Sequence, residues 1–92
     1  MARRRVDELH PEEPDPDDLA AVFGANLRAA RVKLGLTQAQ LAERAGLLQP
    51  YLSLVEAGKQ NVTLSTAQAL AKVVHQDVID MMRATTAKRR RK

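Results

Sequence analysis

The apolar part of this sequence is almost entirely small and aliphatic: 15 alanines and 12 leucines, with Phe23 and Tyr51 as its only aromatic side chains and no cysteine. A core of such residues is filled by close packing of short side chains. Helices with high alanine and leucine propensity achieve this, whereas a sheet draws on β-branched and aromatic residues. The expectation is an all-α fold, and 92 residues leave room for one domain with one core. The lack of cysteine removes disulfides, thiolate nucleophiles and thiolate-bound metals, and fits a reducing, cytoplasmic setting. No apolar run nears the roughly 20 residues of a membrane span. Behind Arg3, Arg4 and Arg5 stand carboxylates and prolines, where a signal peptide needs an apolar stretch. No membrane partner is expected.

Apolar residues recur at spacings of three and four in short stretches, each bounded by residues that start or stop helices. Asp15 or Pro16, followed by Asp17 and Asp18, opens a first helix whose inner face is Leu19, Val22, Phe23, Leu27, Ala30 and Leu34 and which ends at Gly35. Thr37 caps a second helix over 38–45, with Leu41, Ala42 and Ala45 inward and Gly46 in the left-handed position behind it. A third helix starts at Leu48 or Gln49, accepts Pro50 in its first turn and runs to Ala57 before Gly58. Thr63 caps a fourth, with Leu64, Ala67, Leu70, Ala71 and Val74 buried, and Asp77 opens a short fifth from Val78 to about Arg83.

The net charge of +4 is unevenly spread. Residues 1–18 set three arginines against seven carboxylates, while residues 19–83 hold seven basic and four acidic side chains. Residues 1–14, acidic and proline-rich, carry too little apolar surface to offset the entropy of ordering, and are expected to be a disordered leader. Residues 15–83 form the domain, and 84–92 a flexible tail ending in Lys88, Arg89, Arg90, Arg91 and Lys92. A basic body with a basic tail suits a polyanionic partner; charge alone does not separate nucleic acid from an acidic protein or lipid.

Two charged residues fall on apolar faces. Arg31 follows Leu27 by four residues, and Glu56 follows Leu52 by four. Burying one charge alone is costly, so the pattern predicts a bidentate Arg31–Glu56 salt bridge joining the first helix to the third. The alternative is two side chains at the rim of the core with their heads in water.

The second and third helices, with a tight turn at Gly46, Leu47 and Leu48, have the spacing of a helix-turn-helix. The residues Asn26-Leu27-Arg28-x-x-Arg31, Gly35-Leu36-Thr37-Gln38, Leu41-Ala42, Ala45-Gly46-Leu47 and Tyr51-Leu52-Ser53-x-Val55-Glu56-x-Gly58-Lys59 closely resemble the XRE, Cro and phage-repressor-like DNA-binding family. The resemblance spans about residues 23–82. It implies a five-helix, phage-repressor-like domain that binds operator DNA as a homodimer, with the third helix in the major groove. By motif position, Gln38 contacts phosphate and braces Gln49, whose amide can pair with adenine. Pro50, Ser53 and Leu54 complete the base-facing surface. Pro50 has no donor, and Leu54 offers only apolar contact, such as to a thymine methyl. Asn26, Arg28, Tyr51, Lys59 and Asn61, with backbone N–H groups at the starts of helices two and four, are expected on phosphate. Tyr51 can instead pack on the second helix, and Asn61 can serve simply as a turn former.

The family often has glycine where this chain has His75-Gln76. A histidine in the left-handed region carries a cost and leaves the approach to the fifth helix less defined. Val78, Ile79, Met81 and Met82 offer much apolar surface for a terminal helix, for either a twofold-related subunit or the monomer's own core. The basic tail can follow phosphates or enter a minor groove, or it can only aid solubility. The acidic leader can screen those charges from DNA.

Nothing in the chain points to an enzyme, a metal or a cofactor. His10 lies in the leader and His75 at a helix end, there is no HxxxH pair, and no glycine-rich loop follows a strand. The reading is a homodimeric transcriptional repressor of double-stranded DNA. An antitoxin that binds a cognate toxin protein and regulates its own operon is the alternative.

Overall fold

The computed structural model of the chain describes residues 15–84. They form five helices, α1 (Leu19–Lys33), α2 (Gln38–Ala45), α3 (Gln49–Glu56), α4 (Leu64–Val73) and α5 (Val78–Met81), and among the described residues there is no strand. The expected acidic leader over 1–14 and the lysine and arginine run over 88–92 lie outside the described residues.

The first helix starts later than Asp15 or Pro16. Asp15 closes a turn of its own, its carboxylate accepting from Asp17 N at 2.9 Å and its carbonyl from Asp18 N at 2.9 Å. Asp18 is the N-cap, with Oδ1 accepting from Ala21 N at 3.0 Å. Short carboxylates compete for backbone N–H groups, and the first of the three captured a turn instead of a helix. Thr37 caps α2 through a reciprocal pair with Gln40: its hydroxyl accepts from Gln40 N at 3.0 Å, and Gln40 Oε1 accepts from Thr37 N at 2.8 Å. Thr63 caps α4 and Asp77 caps α5. No side chain caps α3, whose N-cap is Leu48.

The core joins Phe23 and Leu27 of α1, Leu41 and Ala42 of α2, Leu52 and Val55 of α3, and Ala67, Leu70 and Ala71 of α4, with Val74 and Met81 closing it. Three expected core positions are exposed instead. Leu19 and Leu64 each begin a helix and Leu34 follows the end of one, so they project past the neighbours that would cover them. The fifth helix is also shorter than expected, ending at Met81. Asn26 of α1 holds it, its amide donating to the Met81 carbonyl at 2.8 Å and the Arg83 carbonyl at 2.9 Å. Met81 is 3% exposed in the monomer's own core, and Val78 and Met82 pack half-buried against it. Of the four residues expected at a subunit interface, only Ile79, 61% exposed, stands clear.

Four helices end with the same closure, in which an N–H reaches back five residues: Leu36 to Arg31, Leu47 to Ala42, Lys59 to Leu54 and Gln76 to Ala71. The residue before each donor takes positive φ. At three of the four ends it is glycine; at the fourth it is His75, with φ 61°. A Cβ in this region costs about 1–2 kcal/mol, partly offset by the smaller chain entropy that a non-glycine residue loses on folding. His75 is exposed, so it loses little packing on replacement. His75→Gly is therefore expected to stabilise the domain by about 0.5–1 kcal/mol, raising Tm by a few degrees in thermal unfolding. A lower Tm would mean that the imidazole makes a contact that matters.

Candidate nucleic-acid interface

The turn between α2 and α3 is set by Gly46 at φ 72°, a conformation that carries little penalty without a Cβ. It points Leu47 toward the core and leaves Leu48 outside. From there α3 divides cleanly. Leu52, Val55 and Glu56 are buried, while Gln49, Pro50, Ser53 and Leu54 are all exposed on the opposite side. The four residues expected to face bases thus share one outward surface, two turns long.

That surface is held from behind by a buried polar cluster. Arg31 Nε donates to Glu56 Oε2 at 2.7 Å and Arg31 Nη2 to Oε1 at 3.0 Å, a fork that matches the planar carboxylate. The side chains are 11% and 2% exposed, so the pair is largely buried and weakly screened. Arg31 Nη1 donates to the Leu36 carbonyl at 2.8 Å, just before α2. Gln38 Nε2 donates to Glu56 Oε1 at 3.0 Å. One carboxylate at the end of α3 therefore gathers donors from α1 and α2, and the loop between them joins through Arg31, which constrains how α3 projects.

Two of the residues expected on phosphate donate hydrogen bonds within the domain. Gln38, expected on phosphate and against Gln49, is turned instead toward Glu56 at the other end of α3. A buried carboxylate with acceptor capacity to spare is a stronger attraction than an exposed amide. Asn26, also expected on phosphate, has both amide hydrogens engaged by the Met81 and Arg83 carbonyls, so its donors are used in tethering α5. The remaining positions keep accessible groups. Arg28, Lys59 and Asn61 are exposed, and Tyr51 is half-buried with its ring against the core.

Gly24 lies outside the motif residues and also shapes the site. It is buried in the middle of α1, where an added Cβ would overlap the Val55 carbonyl oxygen and lie 3.0 Å from that of Glu56. The signal was present: a glycine inside an apolar helical pattern costs about 1 kcal/mol against alanine and calls for a packing reason.

Two short helices joined by a glycine turn, the second with a polar and apolar outer face and a buried salt bridge behind it, define the helix-turn-helix class. The chain belongs to the XRE-like helix-turn-helix family of DNA-binding transcription regulators, and the family model described as helix-turn-helix matches residues 27–75. It is 41% identical over 63 residues to a protein named as a hypothetical transcription factor of Neisseria meningitidis serogroup B, covering 68% of this chain and 59% of that protein. It is also 41% identical over 69 residues to the control protein C.SmaI of Serratia marcescens, covering 71% of this chain and 82% of the relative. Among solved structures it is similar to the hypothetical transcription factor NHTF from Neisseria, with TM-score 0.77 and 32% identity over 82% of this chain and 84% of that one. Among the described residues no helix is long and apolar enough to cross a membrane.

Proposed function

We propose that the chain is a cytoplasmic, sequence-specific repressor that binds a pseudo-palindromic operator as a homodimer, with α3 of each subunit in successive major grooves. The observation that carries this reading is the outward surface of Gln49, Pro50, Ser53 and Leu54, backed by the Arg31–Glu56–Gln38 cluster. Gln49 reads adenine, Ser53 adds a donor or acceptor, and Arg28, Lys59 and Asn61 set the register on phosphate. Twofold pairing rests on Ile79 and the exposed edges of Val78 and Met82. Occupancy of the operator is itself the regulatory act, since a bound dimer excludes other proteins from the same DNA. The identity of the Serratia relative as a control protein accords with that role.

Selection of bound duplexes from random DNA tests the reading. The expected product is an inverted repeat with half-sites about 34–36 Å apart, one helical turn. Gln49→Ala is expected to weaken binding to that operator by about 5- to 150-fold, corresponding to about 1–3 kcal/mol, and to relax preference at one position per half-site. Lys59→Ala should weaken all sequences alike and lower the salt slope by about one. Selection that enriches nothing, with only a steep salt dependence, would overturn sequence-specific repression.

A further inference from the structure

We propose that α3 reads the 5-methyl group of a pyrimidine through its apolar outer row, so that thymine and 5-methylcytosine are recognised alike and unmethylated cytosine is not. The inference rests on the DNA-binding reading above and names the group that this surface recognises. The exposed side of α3 consists of two rows at i, i+4 spacing: Gln49 with Ser53, and Pro50 with Leu54. The first row hydrogen-bonds, and the second presents only carbon. Leu54 is 44% exposed, and Leu48, the N-cap residue, is 77% exposed beside the turn. The domain core does not need these residues, since Leu52 and Val55 fill the inner side of the same helix.

On a base-facing surface, Pro50 and Leu54 can offer a base pair only apolar contact. The apolar group that a base pair displays in the major groove is the C5-methyl of thymine, and cytosine acquires the same methyl at the same place when it is 5-methylated. Charge also favours the groove as occupant. The acidic residue of α3, Glu56, is buried against Arg31, so the outer face brings no carboxylate to the phosphates that flank the bases.

The test uses the full chain and its selected operator, with one half-site altered at a time and affinity measured at fixed salt. Replacing each thymine by deoxyuridine is expected to reveal at least one position where loss of the methyl weakens binding about fourfold, the equivalent of about 0.8 kcal/mol for a buried methylene. Cytosine placed at that position should also bind poorly, and its 5-methylation should regain about fourfold. Both differences should shrink below about twofold in Leu54→Ala, whose folding is checked by its Tm; Pro50→Ala supplies a second variant on the same row. If the operator is bound selectively and no thymine-to-uracil change matters, methyl recognition is overturned while the DNA-binding reading stands. An equal uracil effect in wild type and both variants also overturns it, because the methyl then acts through DNA shape. Failure to select any operator overturns both.

Discussion

Arg31→Ala is expected to cost about 3–5 kcal/mol and to lower Tm by well over 10 °C. The deletion leaves the Glu56 carboxylate, with a side chain 2% exposed, with Gln38 as its remaining donor. It also frees the Leu36 carbonyl, which accepts from Arg31 at 2.8 Å. A domain of this size has a total stability of roughly 4–10 kcal/mol, so the loss consumes much of it. The double replacement Arg31→Met with Glu56→Leu separates stability from positioning. Two apolar side chains of similar volume remove the desolvation cost along with the attraction, so stability should return to within about 2 kcal/mol of wild type, the lost hydrogen bond to the Leu36 carbonyl accounting for the remainder. Operator affinity should not return with it, because Gln38 then has no carboxylate to hold and α3 loses its link to the start of α2. Chemical denaturation and operator titration on the three proteins decide the matter. Arg31→Ala within about 1 kcal/mol of wild type would mean that water reaches Glu56 and the pair is not buried in solution.

The parts of this structure that can be read from residues are those set by local chemistry. Thr37, Gly46, Pro50 and Gly58 mark the limits of α2 and α3 because each acts on its own backbone, and the helices begin and end within two residues of those marks. Arg31 and Glu56 stand out as opposite charges on apolar faces, and the structure joins them. Properties that depend on neighbours are not legible in this way. Periodicity places Leu19, Leu34 and Leu64 on inner faces, but it does not say how far the covering helices extend, and all three are exposed. Asp15, Asp17 and Asp18 offer equivalent caps, and competition among them moved the start of α1 to Leu19. Gln38 and Asn26 are exposed-looking amides by spacing. Their partners are a carboxylate 18 positions away and two carbonyls 55 and 57 positions away, separations that no local pattern encodes. The spacing of Val78, Ile79, Met81 and Met82 fits either a docking strip or a core face, and it is the Asn26 tether of α5, a contact 55 positions away, that accompanies Met81 into the monomer's core.

Gly24→Ala sets helix propensity directly against packing. By propensity alone, alanine in the interior of a 15-residue helix should stabilise it by about 0.8–1.0 kcal/mol. The added methyl, however, meets the Val55 and Glu56 carbonyl oxygens at the end of α3. These are backbone atoms, which cannot rotate aside as a side-chain tip would, so α1 and α3 have to move apart. Overpacking of this kind costs typically 1–3 kcal/mol, and more when it disturbs other contacts. Here it does: Phe23 and Leu27 lie on the same face of α1 as Gly24, and the Arg31–Glu56 pair, at 2.7 and 3.0 Å, spans the same two helices. Separation of the helices lengthens those bonds and opens space beside both apolar side chains, so the costs add. The expected net effect is a destabilisation of at least about 2 kcal/mol, opposite in sign to the propensity. Ala29→Gly, at an exposed position of the same helix, isolates the propensity and should cost about 1 kcal/mol. Operator binding should fall in Gly24→Ala even at temperatures where the variant remains folded, because the displaced α3 no longer presents Gln49 and Ser53 at the same angle to the groove. A Tm for Gly24→Ala equal to or above wild type would show that the two helices part without cost, and that the close approach at Gly24 does not fix the recognition helix.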